Sequence, residues 1–354
     1  MVDELIMHRC LQLARIGKGN VAPNPMVGAV LLHEGKIIGE GFHEAYGQAH
    51  AEVNCINSVD ASLKHLIPSS VLYVSLEPCN HTGNTGPCTD FIISHDIKKV
   101  VVACRDINTT INGCGIEKLR HHGIEVQEGL LKSEAIYLNR RFFCFHKKQR
   151  PYIILKWAQT ANGFISSGDG QQLKISNELT DRLVHKWRSE EASILVGTNT
   201  AMQDNPLLTT RLWPGKNPVR IVVDRKLKIP PHYHLLDNKT STIIINTIRQ
   251  KEDGNTLYYK TGEEENIPGV IINLLHHRQV ISLIIEGGAK LLQSFIDAGL
   301  WDEARLITSK KITNGNGVHS PVLKNAAFLK TEKIEDDELN YFTNAEQFNM
   351  AENT

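Results

Sequence analysis

His50, Glu52, Cys79 and Cys88 are the residues whose types and spacing point most directly to chemistry. One imidazole and two thiolates fill three corners of a zinc tetrahedron, and the fourth corner is left for water. That is the ligand count of a catalytic zinc rather than a structural one. Glu52 follows His50 by two positions. A carboxylate there is placed to take a proton from zinc-activated water and return it to departing ammonia, without ligating the metal. His-x-Glu followed by Pro-Cys and a second Cys is the pattern of the zinc-dependent base deaminases. The spacing departs from the short form of that pattern, because eight residues separate Cys79 from Cys88. The plainer alternative is a structural zinc with His81 as fourth ligand.

Asn24 lies between two prolines in Ala22-Pro23-Asn24-Pro25, so its backbone is restricted on both sides. Its amide reads either as a turn residue or as a partner for a base edge or sugar hydroxyl. Further along, Glu286-Gly287-Gly288 lies between a strand pattern and a helix pattern. Glycines there let backbone N–H groups and a helix N-terminus meet a phosphate. The segment is not G-x-G-x-x-G, so a Rossmann assignment is not licensed, and a tight strand-to-helix turn is the equal alternative. On residues alone, Asp204-Asn205-Pro206 reads as a turn, and Arg188 and Arg211 as surface charges.

The elements that must position these groups alternate between strand and helix. Ile6, Cys10, Leu13 and Ala14 repeat at helical spacing, with Gly17 as the stop. Strands are expected over Met26–Leu32, Ile37–Phe42, Val71–Ser75, Lys99–Ala103 and Gly123–Val126. His50 opens a helix, Thr89-Asp90 begins another, and a single helix is expected over Lys132–Phe145. A basic run and Pro151 then mark a domain boundary, giving domains over 1–147 and 151–354. Beyond it, Tyr152–Trp157, Ser193–Val196, Val219–Asp224, Thr242–Ile245 and Ile281–Ile285 read as strands. Leu179–Arg188 reads as a helix capped at Ser176-Asn177-Glu178, and Ala289–Ala298 as another. Lys251–Asn266 is polar and poorly patterned and is expected to be a surface loop. The alternation points to α/β layering with helices on both sheet faces.

Composition narrows the function. The 354 residues suit two domains. Lys plus Arg number 39, as do Asp plus Glu, so the formal net charge is zero and no basic footprint for nucleic acid is present. No apolar run approaches the roughly 18 residues that span a bilayer, and the acidic start Met1-Val2-Asp3-Glu4 does not resemble a signal peptide. Seven cysteines, five of them scattered, fit a reducing cytoplasm better than a disulfide framework.

Taken together, these segments resemble the bifunctional riboflavin-biosynthesis deaminase/reductase family, RibD. In the first half the resemblance rests on Pro23-Asn24-Pro25-x-Val27-Gly28, Gly39 to His43, His50-Ala51-Glu52, and Leu76-Glu77-Pro78-Cys79 to Cys88, long cysteine spacing included. In the second half it rests on Leu155-Lys156-x-Ala158, Val196 to Thr200, Asp204 to Arg211, Pro218 to Asp224 and Glu286 to Ala289. The resemblance implies a cytidine-deaminase-like three-layer α/β/α domain followed by a dihydrofolate-reductase-like α/β domain. It implies one zinc ion per chain, NADPH, small pyrimidine ribotide substrates, and a homodimer or higher homo-oligomer. By position it implies His50, Cys79 and Cys88 as zinc ligands and Glu52 as catalytic. Asn24, His43, His81 and Asn108, with Asp106-Ile107 beside it, would line the deaminase pocket. For the cofactor it implies Ala158, Lys174, Thr200 and Asp204, together with the turn Gly288, Ala289, Lys290, Leu291, Leu292, Gln293, Ser294. For the reductase substrate it implies Gln172, Arg188, Leu208, Arg211 and Glu286.

Some positions depart from the family pattern. Asn84 and Gly86 replace a basic residue and a proline, Thr109 replaces a proline, and Asn162 replaces an aspartate. Gln172 and Lys174 stand where many members carry Ser and Trp. Two rival readings follow. One is a zinc deaminase for another nucleoside or nucleotide, with the second domain as a binding or dimerisation module. The other is a non-catalytic, zinc-stabilised nucleotide-binding protein.

Overall fold

The computed structural model describes residues 2–80, 86–107, 113–167, 173–312 and 317–348. The chain divides into two compact units, Met1–Gln149 and Arg150–Thr354.

The first unit is built on β1 (Gly28–His33), β2 (Lys36–Phe42), β3 (Val71–Val74), β4 (Lys99–Val102) and β5 (Glu125–Glu128), in the order β2-β1-β3-β4-β5. Successive side chains of a strand face opposite sides, and β1 shows the consequence. Ala29 and Leu31 pack with α2 (Ala51–Asn57), α3 (Cys88–Ser94) and α4 (Cys114–His121). Val30 and Leu32 pack with α1 (Val2–Ile16) and α5 (Lys132–Leu138) on the other side. Ile6, Cys10, Leu13 and Ala14 belong to the buried face of α1. The result is three layers. β3, β4 and β5 run parallel, so the loops after β3 and β4 emerge at the same sheet edge. In parallel α/β sheets that edge is where ligands bind.

Two local expectations need correction here. The single helix over Lys132–Phe145 is broken at Asn139 into α5 and α6 (Arg140–Lys148). The Asn139 amide accepts from Met26 N at 2.8 Å and donates to Met26 O at 2.9 Å. These bonds hold Asn139 at φ −94°, ψ 21°, off the helical path. The strand expected from Gly123 starts later, at Glu125, because Gly123 at φ 76° closes the end of α4.

The second unit is one sheet of ten strands among the described residues. Its parallel body runs β11 (Thr256–Lys260), β9 (Thr242–Asn246), β8 (Val219–Val223), β7 (Ser193–Gly197), β12 (Ser282–Ile285), β6 (Tyr152–Gln159), β13 (Glu303–Ser309). β10 (Lys251–Asp253) flanks β11, and β15 (Asp337–Asn344) and β14 (Ala326–Ile334) extend the other end, all antiparallel. Helices α9 (Ile267–His277) and α10 (Ala289–Asp297) cover one face through Ile271, Leu275, Leu292 and Phe295, packed on Ile153, Leu155 and Trp157. α7 (Glu178–Glu190) belongs to the other face, where its Trp187 meets Tyr341 of β15 edge-on at 6.1 Å. Its N-cap is Asn177, which accepts from Thr180 N.

The segment Lys251–Asn266 is not a loop throughout. It holds the hairpin β10–β11, closed by the two-residue turn Gly254-Asn255, with Gly254 at φ 58°. Leu257 is buried beside Ile243 of the neighbouring β9, and the polar residues of β10 form the exposed edge. Such edges carry charge in soluble sheets. Among the described residues no helix is long and apolar enough to cross a membrane.

Candidate active sites

In the first unit, three short pieces of chain converge. His50 is the N-cap of α2, Cys79 sits in the loop after β3, and Cys88 opens α3. His50 Nδ1 lies 3.2 Å from Cys88 Sγ and 3.5 Å from Cys79 Sγ, and the three donor atoms all lie within 4.8 Å of one another. Zinc with ordinary Zn–N and Zn–S bonds holds tetrahedral donors roughly 3.6 Å apart, so the three residues fit that ion. Cys79 is lowered from the ordinary thiol value by a hydrogen bond from Cys88, against burial, with His50 helping. Glu52 is buried, and desolvation followed by the nearby Cys79 pushes it up to about 7. A carboxyl with that affinity can accept and return a proton near neutral pH.

His43 and Asn24 stand together in the same unit. His43 Nδ1 donates to Ala49 O at 3.0 Å, which makes Nε2 the acceptor for the Asn24 amide at 3.2 Å. Burial is the main cause holding His43 below its ordinary value, with His50 adding to it. The neutral ring therefore orients Asn24, and its own ring stands edge-on to His50 at 5.2 Å.

The second unit has a cavity of about 1370 Å³. Ordinary small-ligand pockets hold about 300–1,000 Å³, so this one suits a dinucleotide and a second ligand together. It is lined at the C-terminal ends of β6, β7, β8 and β12. A Cβ on Gly287 would lie 2.9 Å from Thr200 of α8 (Thr198–Asp204), so only glycine permits that approach. Gly288, at φ 79°, begins α10 without a side-chain cap. The first N–H groups of α10 are thus left for an anionic ligand such as the diphosphate of a dinucleotide.

Beside this turn, Arg188 grips Glu286 with two bonds, 2.9 and 2.7 Å. Lys156 Nζ is 3.7 Å from the same carboxylate. Burial alone would raise Glu286, but Arg188 and then Lys156 outweigh it and hold it at about 2. Burial lowers Lys156 from its ordinary value, against the pull of Glu286. His185 is pushed down to about 4 by burial, then Arg188 and Arg211.

Comparison with known proteins decides the family. The RibD C-terminal domain model matches residues 151–337, and the cytidine and deoxycytidylate deaminase zinc-binding region matches residues 1–104. The riboflavin biosynthesis protein RibD of Aquifex aeolicus is 39% identical over 88% of this chain and 88% of its own. The chain belongs to the RibD family. The Escherichia coli RibD is 32% identical over 88% of this chain and 89% of its own. A Thermotoga maritima structure, titled a diaminohydroxyphosphoribosylaminopyrimidine deaminase/5-amino-6-(5-phosphoribosylamino)uracil reductase, is 35% identical. It superposes with a TM-score of 0.88, covering 97% of this chain and 99% of that one. The protein is thus a bifunctional riboflavin-biosynthesis enzyme, with a cytidine-deaminase-like zinc domain followed by a reductase domain of the type that uses NADPH.

Within this RibD framework, Ala158, Lys174, Thr200 and Asp204 line the cavity. So do Gly288, Ala289, Lys290, Leu291, Leu292 and Ser294 of the α10 turn. Gln293 does not. Its amide turns away to Asp297 Oδ1 at 2.9 Å and accepts from Val322 N at 2.9 Å. Arg188, Leu208, Arg211 and Glu286 line the same cavity. His81, Asn84, Asn108, Thr109 and Gln172 lie outside the described residues. At the departure Asn162, Oδ1 accepts from the Thr160 hydroxyl at 2.8 Å, a bond an aspartate would also make. Around Gly86 an added Cβ would meet open space, so packing does not impose the glycine.

Two residues were missed by sequence reasoning. Lys156 gave one signal, a lysine inside the apolar strand Tyr152–Trp157. Glu77 gave another, a carboxylate next to Pro78-Cys79 that turns out to be buried.

Proposed function

We propose that the first unit deaminates 2,5-diamino-6-(5-phosphoribosylamino)pyrimidin-4(3H)-one, and that the second reduces the ribosyl chain of the product to ribityl. The deaminase would occupy residues 1–147 and the reductase 151–354. The observation that carries this is the His50–Cys79–Cys88 triangle beside the buried Glu52, in a chain that also holds the Glu286–Arg188 cavity. The name of the Thermotoga relative supports the substrate. When bound, zinc lowers the pKa of its water to about 7, and NADPH supplies a hydride. Glu52 takes up a proton and delivers it to the departing amine. Asn24, His43, His81 and Asn108 hold the pyrimidine ribotide. In the reductase, the α10 turn and Thr200 hold the cofactor diphosphate. Arg188 is committed to Glu286, which leaves Arg211 to take the ribose phosphate, a role suited to a guanidinium fork. Lys156 and Glu286 face the cavity as the polar pair nearest the reacting chain. The enzyme would work in the cytoplasm as a homodimer or higher homo-oligomer, which gel filtration tests.

The test is a coupled assay on the diaminopyrimidine ribotide, reading ammonia release and loss of NADPH absorbance. Wild type should show both. Glu52→Gln should cut ammonia release by about 10²–10⁴-fold with zinc retained, and should still oxidise NADPH when the deaminated ribotide is supplied. A wild type inert towards this ribotide but active on cytidine or guanine would sink the substrate assignment.

A further inference from the structure

Arg211 lines the large cavity from an exposed loop, not from a strand or helix. A long side chain on a loop has many conformations to lose when it meets a ligand. How firmly the neighbouring peptides are held therefore decides how well it binds. Arg188 holds Thr209. Its Nε and one terminal nitrogen are used on Glu286, and the other terminal nitrogen donates to Thr209 O at 3.2 Å.

Asn217 holds Thr210, which is buried directly before Arg211. Asn217 Oδ1 accepts from Thr210 N at 2.9 Å and from the Thr210 hydroxyl at 3.0 Å. A hydroxyl has one proton to give, and its other acceptor, Gly215 O, is farther away at 3.3 Å. Thr210 O in turn accepts from Trp213 N at 2.8 Å. One amide oxygen thus closes the loop from 210 to 217 on the residue next to Arg211. Asn217 is itself well rooted. Pro218 follows it and restricts its backbone to extended conformations. Val219 N then donates to Ala192 O at 3.0 Å, where β8 begins.

The closed loop rests on α7. An added Cβ on Gly215, at φ 142°, would fall 2.6 Å from Ser189 Cβ. Lys186 Nζ stands 5.3 Å from the centre of the Trp213 ring, within cation–π reach. The helix that grips Glu286 through Arg188 therefore also carries the loop of Arg211.

We infer that Asn217 is a positioning residue for the reductase: through Thr210 it fixes the loop that presents Arg211, and so sets how strongly the second unit prefers a phosphorylated substrate. The inference rests on the reading above in which Arg211 takes the ribose phosphate. Asn217 lies six positions from Arg211, on the far side of the loop, and acts on it only through Thr210.

The test uses the full chain and two substrates, the deaminated ribotide and the same molecule without its phosphate. Loss of NADPH absorbance gives kcat and KM for each. Asn217→Ala removes the shared acceptor, and Thr210→Val independently removes the hydroxyl while keeping the shape. Thr210→Ser keeps the hydroxyl and is the conservative control. In Asn217→Ala and Thr210→Val the ribotide KM should rise about three- to tenfold, the scale of one or two hydrogen bonds. Their kcat, their KM for NADPH and their kcat/KM on the phosphate-free substrate should stay at wild-type values. Thr210→Ser should behave as wild type. Equal losses on both substrates would make the loop contact merely structural and overturn the inference, as would an unchanged ribotide KM. Unfolding of both Asn217→Ala and Thr210→Val would overturn it too. Arg211→Ala separates this from the underlying reading: if it leaves the preference for the ribotide intact, the phosphate assignment falls and the inference with it. Wild type that reduces neither substrate would sink the reductase reading itself.

Discussion

Glu286 shows what single residues contribute and how far sequence reveals them. Its carboxylate is buried against Arg188 and Lys156, and is held at about 2 against an ordinary 4.5. The folded protein therefore keeps this group ionised where the unfolded chain would protonate it. Its contribution is fully present above about pH 4.5 and is lost as pH falls towards 2. Glu286→Gln should remove this pH dependence. Between pH 5 and pH 3, the wild-type second unit should lose about 2 kcal/mol more stability than the variant does. Urea midpoints at the two pH values check this, and equal losses would show that the carboxylate is not held low. The zinc residues were legible because metal ligation restricts residue type and local spacing. The Arg188–Glu286 pair was not legible as a pair, since its members lie 98 positions apart and nothing local to either announces the other. Lys156 and Glu77 were overlooked for the same reason. Their partners are set by the tertiary fold, and a charged residue read alone defaults to the surface.

At the scale of elements, periodicity placed most helices and strands, and it failed where a side chain overruled it. Residues Lys132 to Phe145 carry one helical pattern, yet Asn139 leaves the helix to bond both peptide groups of Met26. The turn at Gly254-Asn255 was a readable hairpin signal, obscured by the charged run of β10 around it. Nothing in the pattern beyond Ala298 marked β13, β14 and β15: β13 pairs with β6 and β15 at long range, and β14 and β15 form a local hairpin whose β14 strand is largely exposed. The Asn139 break matters for the site because Met26 leads into β1 beside Asn24. Asn139→Leu would keep volume and helical propensity but strand a buried N–H and C=O. The first unit should lose roughly 2–4 kcal/mol, read as an earlier loss of ammonia-releasing activity on heating. NADPH oxidation should keep its wild-type temperature profile. A first unit of unchanged stability would mean that Met26 finds other partners and the helix simply closes.

The whole molecule joins two units, each with its own core and its own candidate site. The three zinc donors and Glu52 all belong to the first, and the described residues lining the large cavity all belong to the second. Zinc binds the folded first unit, so its removal withdraws both a reactant and a source of stability from that unit alone. Treatment with a chelator should therefore abolish ammonia release and lower the melting temperature of the first unit. NADPH oxidation on supplied deaminated ribotide should persist at the wild-type rate, and added zinc should restore ammonia release. A heating scan with two transitions, only the metal-sensitive one moving, would give the same answer without substrate. Equal loss of both activities on chelation would mean that the reductase depends on the metal-bound state of its neighbour. The two sites would then be coupled, and the division of labour argued from their separate residue sets would fall.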